Sequence, residues 1–362
     1  MKNFSSYLLL AFCVALSSCT GSYSLKVHFP NHDFDGKKAY LTNYDTGDTI
    51  DSVTVLEKQL ILDGNVDTAY FARLLFENNR LDFVIEEGDI EVEWGADLKI
   101  SGTPLNEKFN GIVKQLDKYE QEWQKIALAR QNNEITDDEA QQREDNRKSD
   151  LLNTLYNYYL ANKDNPLGEW AFTQYVVEGD FTPSELALLL KKVPKQYLNL
   201  KRVKQAVNIA DAREMTSEGK RFVDFSVKTS DGNVERLSQY VADGMNYTLL
   251  YFWASWCTSC QKEISSPLAY LYEIYKDDGL KIIGVAVWDE PSAAKKAIQE
   301  LAIPWHVMIG DSKLSEPAEL YGISGIPYAV LISPDGNIVA RGLNGDALIK
   351  TVEMLLEGKS LH

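Results

Sequence analysis

An unbroken run of strand-forming apolar residues, Leu249-Leu250-Tyr251-Phe252-Trp253, leads into Ala254-Ser255-Trp256-Cys257-Thr258-Ser259-Cys260, and a helical period begins with Cys260-Gln261-Lys262-Glu263-Ile264. A strand that feeds a helix with two thiols at the junction points to redox chemistry. A cysteine at a helix N-terminus faces unpaired backbone N–H groups and the positive end of the helix dipole, and both favour thiolate over thiol. The thiolate is the form that attacks disulfides. Two intervening residues bring the second sulfur one helical turn on, within reach of closing a disulfide with the first once a partner has been attacked.

A lone C-x-x-C also reads as half of a zinc site or as two buried thiols, and zinc needs two further ligands. The chain holds four cysteines, Cys13, Cys19, Cys257 and Cys260, and four histidines, His28, His32, His306 and His362, with no second metal-spaced pair. The expectation is therefore a working dithiol, with no metal and no cofactor.

The N-terminus has Lys2, an apolar run from Tyr7 to Leu16 and small residues at Ser17-Ser18. That run is short for a bilayer span and reads as a signal peptide over residues 1–18. Leu16-Ser17-Ser18-Cys19 resembles the lipobox of bacterial lipoproteins, which implies cleavage before Cys19 and a lipid anchor on it; the alternative is a plain signal peptide cleaved nearby. Every thiol of the mature chain would then lie in the C-x-x-C. The expected location is the cell envelope, as a periplasm-facing lipoprotein. A net charge of −16 argues against nucleic acid, whose recognition needs a basic footprint.

Residues 24–103 read as an all-β, sandwich-like domain. Strand-like runs at Leu25 to Phe29, Ala39 to Leu41, Leu60 to Leu62, Ala72 to Phe76 and Ile90 to Trp94 are separated by Asp35-Gly36, Asp63-Gly64 and Glu87-Gly88-Asp89. The face Ile90, Val92, Trp94 reads as core. Residues 104–216 read as a helical region, with Phe109, Ile112, Val113 and Leu116 at helical spacing. The charge-dense stretch Gln131 to Asp150 is either an exposed helix arm or a loose connection. Thr182-Pro183-Ser184-Glu185 is a helix start with a capping box. The aromatic residues Tyr156, Tyr158, Tyr159, Trp170, Phe172 and Tyr175 read as packing between helices, with a groove lining as the alternative.

From 219 to 362 the order is strand, turn, strand, helix, strand, helix, strand, strand, helix, which predicts an α/β domain with a central mixed sheet covered on both faces. Phe252-Trp253-Ala254-Ser255-Trp256-Cys257-x-x-Cys260-x-x-Glu263, the strand Ile282 to Val287 and Gly322-Ile323-Ser324-Gly325-Ile326-Pro327 together resemble a thioredoxin-fold domain. The similarity is to the membrane-anchored thiol-disulfide oxidoreductase family that includes the reductases of cytochrome c maturation. It implies that Cys257 attacks and Cys260 resolves, the two closing a disulfide between them. It also implies that Ile326-Pro327 is a cis peptide beside the site, with the Ile326 backbone pairing with an extended substrate, and that Trp256 covers the disulfide. Glu263 matches the acidic residue that the family places beneath the cysteines. Implied partners are protein thiol or disulfide substrates and a membrane reductant.

Several positions depart from the pattern. Tyr251 stands where thioredoxin has a buried aspartate, six residues before the first cysteine, and Pro267 lies later than the usual helix proline. His306 reads as structural. A peroxidase of the related peroxiredoxin type would need proline and threonine or serine where Leu250 and Ala254 stand. A copper-delivery module of thioredoxin fold is the binding-protein alternative; it would need a wider cysteine spacing and a nearby histidine, though the soft thiolates could still take Cu(I). The residues before Gly219 carry no defensible catalytic motif. Their expected task is to hold the redox domain off the membrane and to select partners, by forming a homodimer through the N-terminal regions or by presenting the aromatic face around Trp170.

Overall fold

A computed structural model describes residues 21–132 and 134–357. The signal peptide expected over residues 1–18 and the lipidation expected at Cys19 lie outside the described residues. The chain divides into two compact units, Met1–Gly179 with Pro194–Arg202, and Asp180–Val193 with Val203–His362. The helical stretch 104–216 is thus not a unit of its own: its first part groups with the upstream strands, and most of the rest with the C-terminal sheet.

In the first unit the strands are β1 (Gly21–His28), β2 (Lys38–Asn43), β3 (Thr49–Thr54), β4 (Gln59–Val66), β5 (Tyr70–Phe76), β6 (Asn79–Ile85), β7 (Gly88–Glu93) and β8 (Lys99–Ser101). They form two four-stranded sheets, β4-β1-β7-β8 and β3-β2-β5-β6. Alternation sets the buried faces: Tyr23, Leu25 and Val27 of β1 and Ile90 and Val92 of β7 point into the core. Trp94 is half-buried, edge-on to Phe76 at 4.9 Å, and Phe29 meets the same ring at 5.5 Å. Strands β3, β6 and β8 escape a reading by pattern. No residue of β3 is buried, β8 has three residues, and β6 opens on Asn79, Arg80 and Asp82.

Helices α1 (Pro104–Gln131), α2 (Asp137–Asn162) and α3 (Pro166–Glu178) complete this unit. The charge-dense stretch is mostly the exposed start of α2, opened by a capping box between Thr136 and Glu139. The aromatic residues pack as expected between helices: Phe172 lies 5.2 Å from Tyr159, and Tyr156 lies 5.1 Å from Tyr175. The idea of a presented face around Trp170 is corrected. That indole is 4% exposed, stacked on Phe71 at 5.6 Å and edge-on to Phe109 at 4.9 Å, so it serves the core.

The second unit opens with α4 (Pro183–Leu190), whose capping box joins Thr182 and Glu185, and takes most of α5 (Lys201–Met215). A hairpin of β9 (Ser226–Lys228) and β10 (Val234–Arg236) precedes β11 (Tyr247–Trp253). Then come α6 (Thr258–Glu263), a π turn over Ile264–Leu268, α7 (Ala269–Tyr275), β12 (Leu280–Ala286), α8 (Pro291–Glu300), β13 (His306–Met308), α9 (Glu316–Leu320), β14 (Tyr328–Ile332), β15 (Ile338–Arg341) and α10 (Gly345–Leu356). The sheet order is β13-β12-β11-β14-β15, with β11, β12 and β13 mutually parallel, β14 antiparallel to β11 and β15 antiparallel to β14. Pro267 falls inside the π turn, where its missing N–H accompanies the break between α6 and α7. Strand β12 stops before Trp288, whose φ of 56° is incompatible with extended chain.

Candidate active site

Strand β11 is buried at every residue after Tyr247, and its alternation assigns each side chain to a face. Leu249, Tyr251 and Trp253 join the core cluster that contains Cys257 and Cys260, whereas Leu250 and Phe252 join the cluster on the other face. The period of two therefore carries the Tyr251 phenol to the cysteine side.

The loop after β11 is fastened from the segment that follows β12. Asp289, 6% exposed, accepts from the Ser255 N–H at 2.5 Å and from the Ser255 hydroxyl at 2.9 Å. The Gln261 amide donates to the Ser255 carbonyl at 2.6 Å, and the Trp256 Nε1 to the Trp288 carbonyl at 3.1 Å. Trp256 is thereby held by its polar edge while 60% of its surface stays in solvent.

Cys257 is the N-cap of α6, and its sulfur accepts from the Cys260 N–H at 3.1 Å. The Ser259 hydroxyl stands 3.4 Å from the same sulfur. Cys257 and Cys260 are joined as a disulfide with Cα atoms 5.2 Å apart. The two are unequal in access: Cys257 is 5% exposed and Cys260 0%. Only the outer sulfur sits where helix donors stabilise a negative charge.

One turn on, Glu263 is half-buried. Its Oε2 accepts from the Tyr251 hydroxyl at 3.1 Å, and its Oε1 from the Gly345 N–H at the start of α10, at 3.3 Å. Burial pushes the carboxyl above its ordinary value of 4.5, against the downward pull of these two hydrogen bonds. The Tyr251 hydroxyl also lies 3.4 Å from the Cys260 carbonyl, and burial beside Glu263 drives the phenol above its usual range. Tyr251 thus links the carboxylate to the helix that bears the dithiol.

The Ile326–Pro327 peptide is cis, and Ile326 packs against the cluster that holds both cysteines. His306 lies elsewhere, bonded to Glu235 and stacked on Tyr240 at 4.7 Å, and takes no part in this grouping. Among the described residues, no three His, Cys, Asp or Glu side chains gather as a metal site. Tyr251, Asp289 and Gly345 escaped the sequence as site residues. The first was visible only as a departure from pattern, and the other two are brought in from 34 and 82 residues away.

Residues 219–341 match the AhpC/TSA family, and residues 23–109 match a domain of unknown function, DUF4369. The thiol-disulfide oxidoreductase ResA of Bacillus thuringiensis subsp. konkukian is 29% identical over 139 residues, 38% of this chain and 76% of that protein. The thiol:disulfide interchange protein HelX of Rhodobacter capsulatus is 29% identical over 113 residues, 30% of this chain and 61% of that protein. The C-terminal part of the chain is a thioredoxin-like thiol-disulfide oxidoreductase. A solved thioredoxin domain of a thiol-disulfide oxidoreductase from Bacteroides vulgatus is 32% identical, covering 39% of this chain and 98% of that one, with a TM-score of 0.34. Within the oxidoreductase domain the matched segment runs from just before the β9–β10 hairpin to the end of β15, so it contains both cysteines, Glu263 and Pro327.

Proposed function

We propose that the protein is an exported, lipid-anchored reductase of protein disulfides that works through Cys257 and Cys260. The Cys257 thiolate attacks a substrate disulfide, forming a mixed disulfide and expelling one substrate thiolate. Cys260 gives up its proton, attacks the Cys257 sulfur and releases the second substrate thiolate. The enzyme is left as the Cys257–Cys260 disulfide, and two electrons from a membrane reductant restore the dithiol. Glu263 acts as the base for Cys260. A carboxylate whose proton affinity is raised by burial is better matched to a thiol than an ordinary one. Trp256 and the Ile326 backbone receive the substrate, the latter by strand-like pairing.

The observation that carries the reading is the asymmetry of the pair: the Cys257 sulfur caps α6 and accepts the Cys260 N–H, while Cys260 is fully buried. A resolving thiol that is removed leaves the mixed disulfide unbroken. Cys260→Ser should accumulate mixed disulfides with envelope proteins on non-reducing gels, and Cys257→Ser should not; the reverse pattern would exchange the two roles. The same trap lacking residues 24–179 but keeping Cys19 should capture fewer partners, since the upstream unit is assigned to partner choice.

Anchoring rests on Leu16-Ser17-Ser18-Cys19 after a short apolar run. No helix among the described residues is long and apolar enough to cross a membrane. Cys19→Ala should move the protein out of the membrane fraction, and unchanged fractionation and mass would end the lipoprotein reading.

A further inference from the structure

The family match begins at residue 219, but a set of bonds directed at the loop before Pro327 begins six residues earlier, in the last turn of α5. Arg213 donates from Nε to the Gly322 carbonyl at 2.9 Å and from Nη2 to the Ser324 hydroxyl at 3.0 Å. Its Nη1 donates to Asp180 at 2.8 Å, so one planar guanidinium holds two points of the loop and one of the segment before α4. Gly322 has a φ of +61°, and a Cβ there would stand 2.6 Å from the Ile209 carbonyl oxygen and from the Arg213 Cγ. The loop therefore lies directly on the α5 backbone, and a side chain at 322 would force it off.

Arg341, at the end of β15, closes the bracket. Its Nη1 donates to the Thr216 carbonyl at 2.8 Å and to the Thr216 hydroxyl at 2.6 Å, its Nη2 to the Tyr321 carbonyl at 2.7 Å, and its Nε to the Tyr328 hydroxyl at 2.9 Å. Residues 321 and 328, the two ends of the segment that carries Ile326 and Pro327, are thus tied to the end of α5.

We infer that the last turn of α5 is part of the substrate site, with Arg213 as a positioning residue that holds Gly322 and Ser324 so that the Ile326 backbone is presented to an extended segment of a protein substrate. The inference rests on the reading that Ile326 pairs with substrate. An unbraced loop must be ordered anew each time a polypeptide binds, which weakens binding without touching the sulfur chemistry. A small disulfide with no flanking chain does not use the brace.

The test uses the whole mature protein and two disulfides, insulin and 5,5′-dithiobis(2-nitrobenzoate). Arg213→Ala should raise the KM for insulin roughly tenfold, leaving kcat, the rate on the small disulfide and the Cys257/Cys260 reduction potential unchanged. Arg213→Lys, which keeps the charge but not the fork, should recover less than half of the loss. If the alanine protein does not fold, the lysine protein alone decides, with an expected rise of at least threefold. An insulin KM within twofold of the parent, or an equal loss on both disulfides, overturns the inference while leaving the oxidoreductase reading in place. A parent protein inactive on both disulfides overturns the reading of the site and this inference with it.

Discussion

Glu86 in the first unit and Glu263 in the second are both glutamates withdrawn from water and bonded to the start of a helix. Glu86 is 9% exposed, and one of its oxygens accepts the Leu105 N–H at 2.7 Å and the Asn106 N–H at 3.1 Å, the first free donors of α1. Glu263 has a single main-chain donor, Gly345 at 3.3 Å, and shares its other oxygen with a phenol. The first arrangement satisfies two orphan helix donors with one carboxyl oxygen and has no redox group bonded to it. The second leaves burial ahead of hydrogen bonding, so the carboxyl holds its proton more tightly than usual one turn from a thiol. Burial of a carboxylate says little about its use; the number of its donors and its nearest reactive group say more.

The sharpest way to break that contrast is to neutralise Glu263. Glu263→Gln should slow release of the mixed disulfide by about 100-fold, as loss of a general base does, and leave the first attack by Cys257 nearly intact. Its effect on stability has the opposite sign. The folded carboxyl has a raised pKa, so the native state keeps this proton to higher pH than the unfolded chain does. Stability from this group is complete below the ordinary value of 4.5 and is lost as pH rises through the folded value. The glutamine protein escapes that loss, so its advantage in denaturant midpoint should grow with pH across this window and vanish in acid. A uniform offset at all pH values would place Glu263 among plain surface carboxylates.

Glu86→Ala should do the reverse. Removing a cap that serves two donors costs about 2 kcal/mol, or roughly 30-fold in the unfolding equilibrium, while turnover per folded molecule stays at the parental value. Urea unfolding and a titration of active thiols separate the two readouts. A change in turnover with parental stability would mean that the first unit takes part in the chemistry.

How much of this was open to a reader of the sequence differs between the units for physical reasons. In the oxidoreductase domain, long apolar strands such as 247–253 and 280–286 announce themselves, because a sheet covered on both faces needs continuous hydrophobic runs. The five residues of α9 are too few to show a period. In the first unit, β3 is an edge strand with nothing buried, and its sequence carries no alternation to read. The dithiol was legible because its chemistry is local. Asp289, Arg213 and Arg341 were not, since their value lies in partners that are 34, 109 and 125 residues distant and no local pattern encodes such pairings. The same limit placed the start of the redox domain at about Gly219: the sequence shows where thioredoxin-like elements begin, and only the fold shows that α5 is bonded to them.

Tyr251 offers the finest probe of the contrast, because it touches Glu263 without being able to replace it. Its hydroxyl donates to the carboxylate at 3.1 Å, and a donor of that kind favours the charged form. Tyr251→Phe removes the donor but keeps the ring, so burial continues to push the Glu263 carboxyl up and only Gly345 still opposes it. At a given pH below the plateau, less of the carboxyl is then ionised and able to take the Cys260 proton. Release of the mixed disulfide should slow by roughly three- to tenfold on the acid side and reach the parental rate at high pH, with the acid limb of the profile moved upward. The Tyr251 hydroxyl also lies 3.4 Å from the Cys260 carbonyl, so a purely structural effect through α6 has to be separated from one through Glu263. The double variant makes that separation. If the phenol acts through the carboxylate, Tyr251→Phe adds nothing in a Glu263→Gln protein; an equal further loss there would show that it acts by holding the helix instead.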